Sequence, residues 1–232
     1  MQKITIQILK ILTIILVPLI IVPGVVRLLT TDQYLAFEYG KSDFPQDRFG
    51  FDQSQRFSHA SDNLRYIVEK RPPTFLADQK HGDTPLYDQR EVSHMQDVQN
   101  VFQGVWNLWE YASVLFFICL LALALVEGGR NLIASALKTG GLVTVGLFAL
   151  IGISAAVAWQ GWFVLFHRFF FVEGSWLFNF TDTLIRLFPQ QFWFDSAVTV
   201  SSLSLLGGFL VYIVGRILSP KNVVISLAAK VE

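Results

Sequence analysis

The chain has 232 residues, 53% of them apolar and 16% charged, with 18 basic side chains balanced by 18 acidic ones. That mix belongs to a polytopic membrane protein rather than a soluble domain of the same length, and a formal charge of zero gives no electrostatic reason for a nucleic-acid or polyanionic partner. The single cysteine, Cys119, sits among Phe116, Phe117, Ile118 and Leu120; it reads as inert packing and excludes both an intramolecular disulfide and a cysteine-based metal site.

From the N-terminus, residues 4–26 are the first of four runs long and apolar enough to cross about 30 Å of hydrocarbon as a helix. This run exceeds the core of a secretory signal and no Ala-x-Ala-like cleavage site follows it, so it reads as a retained span. Pro18, Pro23 and Gly24 are expected to bend or end it. Residues 30–104 are polar and mildly acidic, long enough for a small cap but poor in core residues. Within them, Tyr34 to Tyr39 alternates weakly, as a short strand or extended piece would. Ser61 to Lys70 looks like a capped helix stopped by Pro72 and Pro73. His81-Gly82-Asp83-Thr84-Pro85 is turn chemistry, and Glu91 to Phe102 reads as a helix feeding the second span, residues 105–126.

The third span is expected over residues 140–162 and the fourth over 197–218. Between them lies a segment crowded with aromatic side chains, among them Phe166, Phe169, Phe170, Phe171, Trp176, Phe178, Phe180, Phe188, Phe192, Trp193 and Phe194. Rings concentrate where an apolar body and a wet rim are both accommodated, at the bilayer interface. The segment reads either as an aromatic belt or as a shaped wall that grips acyl chains. Thr181 to Phe188 within it is amphipathic enough for an interfacial helix ended by Pro189.

The expected fold is therefore an all-α membrane protein of four transmembrane helices with an extracytoplasmic cap of mixed or irregular structure. Residues 1–29 form a span, 30–104 the cap, and 105–163 two spans with a short connection. Residues 164–196 form the interfacial segment, and 197–232 the last span and tail. Lys3, Lys10, Arg130, Lys138, Arg216, Lys221 and Lys230 all fall on one side, which the positive-inside rule makes the cytoplasm. Both termini are then inside and the cap outside.

Two histidines stand out. His94 precedes the second span and His167 follows the third, so both belong to the outer face. Imidazole is the side chain best suited to moving protons near neutral pH. Asp97, three residues after His94, shares its helical face and is the expected orienting partner. Asn107 and Glu110, beside Trp106 and Trp109, are polar groups at a depth where such groups usually face a cavity or another helix. One tension is geometric: a straight second span would hold His94 roughly 18 Å beyond Trp106 at 1.5 Å per residue. Either that helix bends or the cap folds the pocket up to it. The chain has no Gly-x-Ser-x-Gly elbow and no His-Glu-x-x-His motif. No histidine has an aspartate five residues later, and Ser175 lacks supporting context, so a serine or cysteine acyl-enzyme is disfavoured.

At these residues the chain resembles the bacterial lipoprotein intramolecular transacylases, small four-span membrane enzymes with an extracytoplasmic cap. The resemblance rests on the architecture, on His94-Met95-x-Asp97-Val98 ahead of the second span, and on Phe166-His167-x-x-Phe170-Phe171 with Trp176 and Phe178 after the third. Asn63-Leu64 with Tyr66-Ile67 fits more loosely. The resemblance implies an acyltransferase of the bacterial cell membrane acting on a diacylglyceryl lipoprotein with a free N-terminal cysteine amine. The sn-2 acyl chain moves to that amine and leaves the lyso form. His94 and His167 match the family's two histidines, with Asp97, Glu110 and Trp176 in support. Membrane lipids and the lipoprotein are the implied partners, and no cofactor or metal is implied. Two other readings stay open: a non-enzymatic membrane accessory or binding protein with a pH-sensitive cap, and a phospholipid hydrolase using paired histidines.

Overall fold

The structure, a computed structural model, describes residues 2–220; Lys221 and Lys230 lie outside the described residues. Four long helices are apolar enough to cross a membrane: α1 (Gln2–Leu29), α5 (Gln89–Ala124), α6 (Gly129–Val157) and α9 (Gln190–Leu218). The other elements are α2 (Asp32–Tyr39), α3 (Gln53–Val68), α4 (Thr74–Ala77), a two-stranded hairpin of β1 (Lys80–His81) and β2 (Thr84–Pro85), α7 (Trp159–Phe170) and α8 (Thr183–Leu187). The long helices turn apolar side chains outward, among them Ile4, Ile8, Phe117, Leu121, Leu150, Ile153, Phe209 and Leu210. Such faces suit hydrocarbon rather than water, and this is a multi-pass membrane protein.

Small residues let the helices close on one another. A Cβ on Gly141 of α6 would stand 2.5 Å from the Gly208 carbonyl oxygen of α9, and one on Gly215 would stand 2.7 Å from Lys138 N. Helices in lipid gain little from hydrophobic exclusion, so close backbone approach carries the packing. α1 runs through both Pro18 and Pro23 rather than ending there. Each proline removes one N–H, leaving the carbonyls of Ile14 and Leu19 without a helical donor. Gly140 of α6 lies against the first of these, its would-be Cβ 3.1 Å from Ile14 O. Trp109 Nε1 of α5 donates to the nearby Ile20 carbonyl at 3.0 Å.

The third span lies further toward the N-terminus than hydropathy suggests. α6 begins after Gly128, whose φ of +71° turns the chain, and ends at Ala158, where φ is −132° and ψ 47°. Arg130 and Lys138 at the start of this helix lowered its apparent apolarity, but long basic side chains reach water from a helix end. Beyond the break, α7 is a separate helix carrying exposed Leu165, Phe166, Phe169 and Phe170. Trp162 Nε1 donates to Ser154 Oγ at 3.0 Å and ties it back to α6.

In the cap, Tyr34 to Tyr39 is helical rather than extended. Thr31 caps α2 by accepting from Tyr34 N, and the buried Leu35, Glu38 and Tyr39 follow helical spacing. α3 starts earlier than Ser61, at a capping box formed by Asp52 and Gln55, and stops before Pro72. The expected turn at His81 to Pro85 is the hairpin, with Gly82 at φ +63°. α5 is one unbroken helix, whose first turns belong to the cap and whose apolar stretch from Val105 is the span. The cap's buried cluster includes Leu35, Tyr39, Phe44, Phe51, Tyr66, Leu76, Tyr87 and Met95, and it is completed by Leu184, Leu187, Phe188 and Phe192 from α8 and α9.

Candidate active site

His94 is presented by the cap portion of α5 and is buried; His167 is presented by α7 and is half-buried. α5 runs without interruption from the cap through His94 into the span. The break at Ala158 frees α7 from α6, and α7 then carries His167 to His94. The ring centroids lie 6.4 Å apart with planes inclined by 21°. Aromatic rings enclose the pair. Phe171 packs on both imidazoles, at 5.0 Å from His94 and 5.6 Å from His167. Phe178 lies 5.4 Å from His94. Phe163 and Trp176 lie 4.0 and 4.8 Å from His167.

The hydrogen bonding distinguishes the two rings. His167 Nδ1 lies 2.7 Å from the Phe163 carbonyl oxygen. A carbonyl only accepts, so the proton sits on Nδ1 and Nε2 keeps its lone pair. His94 Nδ1 and Trp176 Nε1 are buried with no hydrogen-bond partner among the described residues. Burial in this apolar shell, with His167 beside it, pushes the His94 pKa down to about 4. Burial also lowers that of His167, against the opposing pull of the Phe163 carbonyl. Both shifts favour the neutral imidazole near pH 7. Two neutral imidazoles in a greasy enclosure can relay a proton between reacting atoms held beside them, with little competition from water.

The supporting residues read from sequence separate. Trp176 joins the pair, buried against His167. No hydrogen bond joins Asp97 to His94 among the described residues, and His94 Nδ1 is unpartnered. The i,i+3 spacing placed them on one helical face, but His94 turns into the aromatic shell. Glu110 is exposed and accepts from Trp106 Nε1 of its own helix at 3.2 Å rather than facing a cavity with the histidines. Ser175 Oγ donates to Val172 O at 2.8 Å, a turn contact. Among the described residues no group of three or more His, Cys, Asp or Glu side chains could hold a metal ion.

Sequence reasoning missed Glu91. One of its oxygens accepts from Asp88 N and the other from Leu184 N, both at 2.8 Å, which fixes α5 to α8 one turn before His94. Its signal was present as the capping-box spacing Asp88-x-x-Glu91.

Comparison with known proteins adds three findings. Residues 11–193 match the family model of lipoprotein intramolecular transacylase Lit. An uncharacterized protein of Aquifex aeolicus is 28% identical over 210 residues, covering 90% of this chain and 94% of its own. The structure of the membrane-integral lipoprotein intramolecular transacylase Lit from Bacillus cereus superposes with a TM-score of 0.79 at 18% identity, covering 93% of this chain and 96% of that one. A variant of that protein with one histidine replaced by alanine gives a TM-score of 0.58 at 17% identity, covering 94% of each chain.

Proposed function

Because the chain belongs to the lipoprotein intramolecular transacylase family, we propose that it moves the sn-2 acyl chain of a diacylglyceryl lipoprotein to the amine of that lipoprotein's N-terminal cysteine. The observation that carries the reading is the enclosed imidazole pair, His94 and His167, 6.4 Å apart, with His167 Nε2 free to take a proton. The neutral amine attacks the ester carbonyl, a C–N bond forms, and the C–O bond to the glycerol sn-2 oxygen breaks. One imidazole takes the proton that the amine sheds, and the pair returns a proton to the glycerol oxygen. The proton count is unchanged, and an ester becomes an amide without water, nucleotide or cofactor.

Donor and acceptor share one molecule, so holding it folded on itself replaces a bimolecular encounter with a positioned one. Phe163, Phe171, Phe178 and Trp176 supply the apolar walls, and the exposed rings of α7 face the acyl chains of the bilayer. The reading is supported by Lys3, Lys10, Arg130, Lys138 and Arg216, which by the positive-inside rule favour the cytoplasm for their side and the outer face for the cap and the histidine pair.

The test is expression in a bacterium that accumulates diacylglyceryl lipoproteins, followed by fragmentation of N-terminal lipopeptides by mass spectrometry. An acyl group relocated to the cysteine nitrogen at unchanged total mass, and lost in His94→Ala and His167→Ala, is the expected outcome. Unmodified lipopeptides despite good membrane expression of the wild type would refute it, and release of free fatty acid would mark a hydrolase instead.

A further inference from the structure

A cleft of about 330 Å³ lies beside the histidine pair, lined by Gln89, Arg90, Ser93, Gly174, Ser175, Leu177 and Phe178. Two walls meet in it. One is the start of α5, where Gln89 and Ser93 lie one turn apart on the same face and Ser93 directly precedes His94. The other is the turn after α7, which Gly174 makes at φ +87° and which continues into Trp176, the ring against His167. Phe178 belongs to both places: it lines the cleft and packs 5.4 Å from His94. The cleft thus abuts the histidine pair through Ser93, the chain neighbour of His94, and through Phe178, packed on its ring.

Its chemistry differs from that of the aromatic shell. Gln89, Ser93 and Arg90 offer an amide, a hydroxyl and a guanidinium, and neither Gln89 nor Ser93 has a side-chain partner among the described residues. Arg90 is held in place by Asp88 at 2.9 Å and by Asp182 at 3.2 Å. Gln89 is the first residue of α5, sixteen residues before the apolar stretch at Val105, or roughly 24 Å along the helix at 1.5 Å per residue. The cleft therefore opens on the aqueous side, whereas the exposed rings of α7 face lipid.

A lipidated cysteine has three substituents to accommodate. The amine must meet the histidines, and the thioether-linked glyceride must stay with the lipid. The carboxyl side continues as polypeptide and must leave toward water. We propose that this cleft receives the first residues after the lipidated cysteine, their peptide N–H and C=O groups meeting Gln89, Ser93 and Arg90. This assignment rests on the transacylase reading above.

The experiment compares two synthetic substrates in detergent micelles with the full-length protein: an S-diacylglyceryl-Cys-Ser-Ser-Gly peptide and S-diacylglyceryl-cysteine N-methylamide, which lacks the following residues. Gln89→Trp, which fills the cleft from an exposed helix start, should lower kcat/KM for the peptide relative to the methylamide by about tenfold. An equal effect of Gln89→Trp on both substrates, or none on either, overturns the cleft assignment while leaving the transacylase reading standing. Wild type that converts neither substrate overturns the transacylase reading, and the cleft assignment with it.

Discussion

Glu91 and Leu184 are joined by a buried hydrogen bond of 2.8 Å, the carboxylate accepting from the backbone N–H. The same side chain closes the capping box at Asp88 N, so one residue fixes both the start of the His94 helix and the segment that follows the aromatic turn. Glu91→Ala strands the buried Leu184 N–H and opens the part-buried Asp88 N–H to water, and should cost about 1–3 kcal/mol. Glu91→Gln keeps one acceptor oxygen and turns an NH2 toward the other donor, so it should lose less. Thermal unfolding in detergent, monitored by tryptophan fluorescence, ranks the three; equal melting of wild type and Glu91→Ala would remove this role.

Asp47 and Arg186 form a two-pronged ion pair, 2.9 Å from Nε and 3.1 Å from Nη2. Burial opposes charge on Asp47, but hydrogen bonds from Arg186 and from the N–H groups of Phe51 and Phe49 outweigh it and hold its pKa down to about 2. A depressed carboxylate stabilises the fold above its unfolded pKa, and that contribution is lost as pH falls from about 4 through 2. Asp47→Asn leaves the partly buried Arg186 guanidinium without its counter-charge and should destabilise by about 1–3 kcal/mol, less than for a fully buried pair. Adding Arg186→Met should recover part of the loss, and a double variant less stable than Asp47→Asn would contradict the pairing.

The histidine pair gives a second pH dependence, with its own window. Both folded-state pKa values lie below the ordinary value of about 6.5. Protons therefore prefer the unfolded chain once pH falls below that value, and the pair's neutral burial loses stability down to about pH 4. His59 is shifted the same way by its burial, so the useful comparison is wild type against His94→Phe with His167→Phe. Between pH 6.5 and 4 the melting temperature of wild type should fall more steeply than that of the double variant. Parallel curves would show that the pair is not buried neutral.

Gly141 sits where α6 meets α9 most closely. A side chain there must displace backbone, because its Cβ alone would stand 2.5 Å from Gly208 O and 2.7 Å from Tyr212 N. Gly141→Leu should cost about 1–3 kcal/mol through overpacking, whereas a Cβ on Gly146 meets nothing within 4 Å and Gly146→Ala should be tolerated. Size-exclusion profiles and melting temperatures of the two proteins check the contrast.

The spans were legible because hydropathy reports burial in lipid directly; the two histidines, whose rings the fold brings to 6.4 Å, stood out because imidazole is rare in this chain. The third span was displaced because Arg130 and Lys138 diluted the apolar count at its start, while the rings of α7 extended it past the break at Ala158. α2 was misread because six residues with mixed polarity fit either period; its buried Leu35, Glu38 and Tyr39 belong to a core assembled from distant sequence. Asp97 shows the limit of spacing as evidence. Helical periodicity assigns a residue to a face, but the rings packed around His94 decide which way its nitrogens point.

The shared cap core has a consequence for the order in which the molecule can be built. Leu35, Tyr39 and Phe44 leave the ribosome well before Leu187, Phe188 and Phe192, which close over them. Between those moments two of the long helices, α5 and α6, are synthesised, and the cap residues made early stay incomplete until the last stretch follows. Pairings between distant parts of a chain carry a closure cost before they repay it. A truncation that spares both histidines but removes α8 and α9 should therefore strand an adhesive, half-closed cap. Protease sensitivity of that cap in membranes carrying the truncated chain would report how long the chain waits for its own end.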